Sequence, residues 1–248
     1  RNAFDGVVID PGSVGDDPIL FGKELTSAIS LWTEELCKVV WLEIASTASG
    51  IISKAALKGV QFHHADERYA MMVLKLDQEA FVPPYATHYI GVGGVVINCS
   101  GEILVVSERY RASKDSPAYK LPGGALLPGE HLADAAIREV FEETGIETRF
   151  ESLVCFRHWH GYRYGKSDIY FVARLAPENY EIKKQEEEID ECLWMPVNEF
   201  LANNSIHLFN KTIVAAAIGS EGLFVQHISG YEPQSKYEFF MPNKNHWA

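Results

Sequence analysis

Apolar residues recur along this chain in two rhythms, and the alternation between them outlines the fold. From Pro18 to Cys37, Leu20, Leu25, Ile29, Trp32 and Leu36 fall at helical spacing, which predicts an amphipathic helix. On either side of it, FDGVVI (4–9) and VVWLEI (39–44) read as strands, the second of them buried. IISKAALKG reads as a second helix closed by Gly59, and YAMMVLKL as a further strand. These elements make a small α/β unit ahead of DQEAFVPPYATHYIG, where Pro83-Pro84 can continue neither a helix nor a central strand.

Beyond the prolines the strand rhythm dominates. YIGVGGVVIN and EILVVSER predict consecutive strands joined by a turn at Cys99–Gly101, with a short strand around AYKLP after them. A loop leads to a helix from about Leu132 to Thr144, then to strands near 148–157 and 168–175. CLWMPVNEFLANN reads as a strand running into a helix, and another helix is expected near 207–219. Mixed strands with helices at intervals indicate an α/β/α sandwich rather than a doubly wound sheet. The expected division is an N-terminal domain at 1–84 and a larger one at 85–248, without internal repeats.

Composition narrows the class. Of 248 residues, 47% are hydrophobic and 23% charged, which are globular values. No apolar run approaches the ~18 residues needed to span a bilayer, so no membrane partner is expected. Cys37, Cys99, Cys155 and Cys192 are dispersed and never form C-x-x-C, as reduced core thiols would be. No signal peptide is visible, though the chain opens on Arg1 rather than Met, as it would after removal of an upstream segment. The expected compartment is cytoplasmic. A net charge of −12 argues against long nucleic acid, whose binding rewards basic patches. It leaves room for a small phosphorylated ligand, provided a divalent cation screens carboxylates from phosphates. Neither a G-x-x-x-x-G-K-S/T loop nor G-x-G-x-x-G spacing is present, so nucleotide binding by those two modes is not expected.

The stretch GGALLPGEHLADAAIREVFEETGI (123–146) carries the chemistry. Glu139, Glu142 and Glu143 stand at i, i+3 and i+4, one face of a helix. Three like charges there repel one another, and a divalent cation reverses that sign because hard cations take oxygen ligands. Arg138 can orient a carboxylate or a phosphate with its forked donors. A bare E-x-x-E-E would more often be a solvated face, but this stretch is not bare. Its spacing, G-x5-E-x7-R-E-V-x-E-E-x-G-I from Gly124 to Ile146, resembles the Nudix box at every fixed position.

That resemblance implies hydrolysis of a nucleoside diphosphate linked to another moiety, on an α/β/α sandwich. It makes Gly123 (through its carbonyl), Glu139, Glu142 and Glu143 the metal ligands, for Mg²⁺ with Mn²⁺ as a substitute. Glu142, Glu143 and Arg138 become catalytic, and Gly124, Glu130 and Gly145 are the box positions that order the loop and helix. Glu188, six residues before Trp194 in QEEEIDECLW, is the candidate general base; its bland alternative is a solvated charge run.

VWLEI, FHHAD, THYIGVGGVVIN, ILVVSER, FRHWH and GKSDIYFVARL together resemble one subgroup, of plant ADP-ribose and NADH pyrophosphatases and the animal Nudix-type motif 6 protein. In that subgroup the leading domain resembles an acetyltransferase-like fold, here without a CoA-binding loop in residues 1–82. A packing, dimerisation or gating role and a homodimer follow from the resemblance. Arg157, His160, Lys166 and Asp168 stand where the subgroup carries similar residues, and Trp159 and Tyr162 add aromatic surface for a base. His63-His64 lacks spaced metal partners and reads as structural or interfacial. The implied substrate is ADP-ribose or NADH, giving AMP and a second phosphate product. Tyr162 occupies a position where ADP-ribose enzymes often carry proline, which favours dinucleoside polyphosphates. A weakly active regulatory or binding protein is the third reading.

Overall fold

The computed structural model describes residues 5–110 and 118–243, which divide into two compact units, Arg1–Thr87 and His88–Ala248. In the first, β1 (Gly6–Ile9) leads through α1 (Pro18–Glu34) to β2 (Val39–Ala45), and α2 (Ser49–Leu57) leads to β3 (Gln61–Ala65) and β4 (Tyr69–Lys75). The sheet order is β1-β2-β4-β3, with β1 and β2 parallel and the rest antiparallel. The strand expected from residue 4 begins at Gly6, and Phe4 lies outside the described residues. Asp17 caps α1 by accepting from the Ile19 and Leu20 N–H groups, with Pro18 at the first helical position. The helix stops three residues short of Cys37, because Leu36 turns left-handed (φ 60) and the Cys37 N–H returns to the Trp32 carbonyl. Phe21 and Leu25 of α1, Leu42 and Ile44 of β2, Ile51 of α2 and Met72 of β4 bury together as its core.

FHHAD, read above without a secondary structure, forms the edge strand β3. Its histidines are consumed structurally. His63 Nδ1 meets His64 Nδ1 at 2.7 Å, His63 Nε2 meets the Pro83 carbonyl at 2.7 Å, and His64 Nε2 meets the Tyr69 hydroxyl at 3.1 Å. The His64 ring also stacks on Tyr85, 4.4 Å between centroids.

The second unit contains β5 (His88–Val96), β6 (Glu102–Glu108), β7 (Gly123–Ala125), α3 (Leu132–Thr144), β8 (Thr148–Trp159), β9 (Ser167–Pro177), β10 (Ile189–Pro196), α4 (Val197–Ala202) and α5 (Leu208–Gly219). A short pair, β11 (Phe224–Val225) and β12 (Phe240–Met241), follows. The main sheet runs β7-β5-β9-β8, and β6 pairs antiparallel with β10 in a separate ladder. The expected hairpin of β5 and β6 therefore survives only at its base, in the Ile97–Ile103 bridge. β5 is buried from Gly91 to Val96 and has β7 on one edge and β9 on the other, which leaves no edge for β6. AYKLP forms no strand, only the Lys120–Val106 bridge.

The two faces of this unit have separate cores. Val92 and Val96 join Ala135, Ala136 and Val140 of α3 on one face, whereas Val95, Ile103, Val105 and Val172 meet Phe200 of α4 and Val214 of α5 on the other. Strands between two helical layers give an α/β/α arrangement. Among the described residues no helix is long and apolar enough to cross a membrane.

Candidate functional site

The bounds of α3 follow directly from its sequence. Apolar Leu132, Ala135, Ala136 and Val140 bury one stripe, and Gly145 ends the helix in the left-handed conformation (φ 73), its N–H returning to the Phe141 carbonyl. Glu139 and Glu143 continue that buried face toward the C-terminal end of the helix, with Arg138 and Glu142 on its flank, and Arg138 organises the group. Its Nε and Nη2 donate to the two oxygens of Glu130 at 2.6 and 2.8 Å. Its Nη1 donates to Glu139 and to Glu142, both at 2.9 Å, and Nη2 also reaches the Ala125 carbonyl at 3.1 Å. Glu130 additionally accepts from the Leu127 N–H at 2.9 Å. The guanidinium holds the Glu130 carboxyl well below the usual carboxylate range, and Glu130 in return holds Arg138 charged.

One fork thus ties helix, loop and β7 together. Glu142 is drawn to Arg138 and remains half exposed. Glu139 and Glu143 instead face a cleft of about 930 Å³. Burial pushes the Glu139 carboxyl up against the pull of Arg138. Burial also pushes Glu143 up to about 7, opposed by the nearby Lys120 ammonium and by the Gly123 N–H, which donates to its Oε2 at 3.0 Å. Two carboxylates in this state lack sufficient compensating positive charge.

The glycines before the helix make room for them. A Cβ on Gly124 would stand 2.6 Å from Glu139 Cδ and 2.7 Å from its Oε1. Gly123, at φ 151, would drive a Cβ to 2.5 Å from Gly93 Cα. Gly123 therefore accepts no side chain while β7 pairs with β5, and at Gly124 a side chain would have to displace the Glu139 carboxylate.

Among the described residues no group of three or more His, Cys, Asp or Glu side chains has metal-holding geometry. The donor set still suits a divalent cation. Mg²⁺ binds through one or two carboxylates and completes its shell with water and substrate phosphate oxygens, and two under-compensated carboxylates at the rim of a cleft offer that. Of the three helical glutamates, Glu139 and Glu143 are the two that line the cleft and would hold such a cation.

The remaining candidates separate into those lining the cleft and those outside it. Arg157, Tyr162, Asp168 and Glu188 line it, whereas Trp159, His160 and Lys166 do not. The Arg157 Nη2 donates to buried Asp168, and its guanidinium lies 5.4 Å from the Trp159 ring, 5.8 Å from Tyr170 and 5.5 Å from Phe209. Its Nε is buried with no partner among the described residues. His160 meets Ser167 Oγ at 3.0 Å, and Lys166 lies 5.4 Å over the ring of Tyr89. Tyr89, Glu108, Lys120, Tyr170 and Phe209 line the cleft without having stood out in the sequence. For Lys120 a signal existed, its place just ahead of the glycine pair; for Glu108 and Phe209 there was none.

A family profile described as NUDIX domain matches residues 87–216, and one described as Nudix hydrolase domain matches residues 1–76. Nudix hydrolase 2 of Arabidopsis thaliana is 39% identical over 75% of this chain and 67% of its own. Nudix hydrolase 8 of the same plant is 36% identical over 85% of this chain and 58% of its own. Nucleoside diphosphate-linked moiety X motif 6 of Homo sapiens is 39% identical over 74% of this chain and 58% of its own. The chain thus spans 58% to 67% of the length of these relatives. A NUDIX hydrolase from Nitrosomonas europaea superposes with a TM-score of 0.48 at 23% identity, covering 58% of this chain and 99% of that one.

Proposed function

The chain belongs to the Nudix hydrolase family, and from that premise we propose that it hydrolyses the pyrophosphate linkage of a nucleoside diphosphate derivative, ADP-ribose or NADH first among them, releasing AMP and a second phosphate product. The observation that carries this reading is a cleft lined by half-buried Glu139 and buried Glu143 together with Lys120, Arg157, Arg163 and the rings of Tyr89, Tyr162 and Tyr170. Mg²⁺ or Mn²⁺ held there polarises phosphoryl oxygens and lowers the pKa of water.

The protein's own residues do the rest. Arg138, clamped by Glu130, sets the Glu139 carboxylate and keeps Glu142 beside it. Glu188 lines the cleft as the general base for water. Arg157, oriented by Asp168, brings its guanidinium to the cleft wall. Tyr162 stands edge-on to Tyr89 at 5.8 Å, aromatic surface for a base at the cleft wall. That second surface is also what favours the alternative, a dinucleoside polyphosphate such as Ap4A, which has two bases to place. A homodimer and cytoplasmic residence complete the proposal.

The test is AMP release from ADP-ribose, NADH, NAD⁺, Ap4A and CoA with Mg²⁺ or Mn²⁺, with Glu143→Gln as the blank. Turnover of ADP-ribose or NADH that vanishes in the variant supports the reading, and preference for Ap4A moves it to the alternative. Inertness on every substrate overturns it in favour of a binding role.

A further inference from the structure

The cleft poses an electrostatic problem. It is lined by Glu108, Glu139, Glu143, Asp168 and Glu188 against Lys120, Arg157 and Arg163, and a diphosphate brings more negative charge. Arg157 is already committed to buried Asp168 and packed among three rings. Lys120 is committed differently: its ammonium pairs with Glu108 in an ion pair that is 33% exposed on the lysine side and 48% on the glutamate side. Such a solvent-accessible pair contributes little and is cheaply exchanged.

The backbone beneath Lys120 is fixed, while its side chain is held by a partly exposed ion pair. The Lys120 N–H donates to the Val106 carbonyl at 2.9 Å, and the Val106 N–H donates back at 3.0 Å. Two residues on, the Pro122 carbonyl accepts from Gly94 at 2.9 Å, and the Gly123 N–H then reaches Glu143. Segment 120–123 is therefore pinned from β6 to the carboxylate end of the cleft. The Lys120 ammonium stands at the cleft wall, paired with Glu108 and close enough to Glu143 to act on its charge.

We propose that Lys120 is a phosphate-binding residue held in reserve by Glu108, and that the diphosphate of the substrate displaces Glu108 as its counter-ion. The compact ammonium on a flexible stem suits that exchange better than a fixed fork would. Glu108 is thus a positioning residue: it keeps Lys120 folded against the cleft wall and competes with the ligand for it. This rests on the pyrophosphatase reading, and two readouts separate the failure of one from the failure of the other.

Binding of the non-hydrolysable α,β-methylene analogue of ADP with Mg²⁺ is measured calorimetrically at low and high salt, beside turnover of the substrate found above. Lys120→Met is expected to weaken analogue binding by roughly tenfold and to lose much of the salt dependence. Lys120→Arg recovers most of the affinity. Glu108→Gln, which removes the competitor, tightens binding, an effect that a merely structural ion pair would not produce. Wild-type affinity in Lys120→Met, or parallel weakening in Lys120→Met and Glu108→Gln, overturns the assignment while leaving the pyrophosphatase reading intact. Absence of both analogue binding and turnover in the wild type overturns both.

Discussion

Replacing Glu143 by glutamine should stabilise the metal-free protein at alkaline pH, the reverse of what loss of a functional carboxylate usually suggests. Glu143 is only 7% exposed, and burial raises its carboxyl from 4.5 to about 7. A carboxyl raised on folding contributes stability that is complete below its unfolded pKa and is lost as pH climbs through the folded one. The window is therefore pH 4.5 to about 7, and the loss across it is about 3 kcal/mol at most. Glutamine keeps the shape and can still accept from the Gly123 N–H, but it never ionises. Wild type and Glu143→Gln should match near pH 4.5 in chelator, and the variant should lead by up to about 3 kcal/mol at pH 8. Mg²⁺ at a thousandfold its Kd should reverse the order, since it adds about 4.1 kcal/mol to the form that binds it. Urea unfolding at both pH values, with hydrogen exchange of α3 and β5 peptides to report on this unit alone, measures the difference. A variant less stable than wild type at pH 8 in chelator would refute the reasoning, because the carboxylate would then be well held without a cation.

Gly124→Ala should leave the circular dichroism spectrum unchanged yet lower activity by more than about tenfold, since its Cβ must displace the Glu139 carboxylate; a fully active alanine variant would show that Glu139 is free to move. Arg138→Lys keeps the charge but loses the two-pronged hold on Glu130, which should cost about 1–3 kcal/mol of stability together with most of the activity; thermal melts and rates fall together if one fork serves both. In the first unit, His63→Ala breaks the hydrogen bonds to His64 and to the Pro83 carbonyl. Exchange of β3 amides should accelerate, corresponding to about 1–2 kcal/mol, with β5 and α3 unaffected; unchanged β3 exchange would mean that the histidines hold nothing.

How much of this was legible in the linear chain depends on the range of the interactions involved. Helix α3 was readable to its ends at Leu132 and Thr144, because its apolar stripe and its left-handed glycine are local features. The glutamate spacing and the arginine behind it were legible for the same reason, as was the resemblance they carried. Local pattern did not reveal which strand edge pairs with which. β5 and β6 are neighbours in sequence, yet β7 and β9 occupy both edges of β5 and send β6 to β10. Nor did the motif decide its own use: Glu142 shares it with Glu139 and Glu143, yet stands half exposed outside the cleft that those two line. Lys120 and Glu108 are twelve residues apart, and Phe209 arrives from α5, far along the chain. Such meetings depend on packing between distant segments. Periodicity therefore determined most of the elements and motif spacing carried the resemblance, and only the tertiary structure decided which side chains share the cleft.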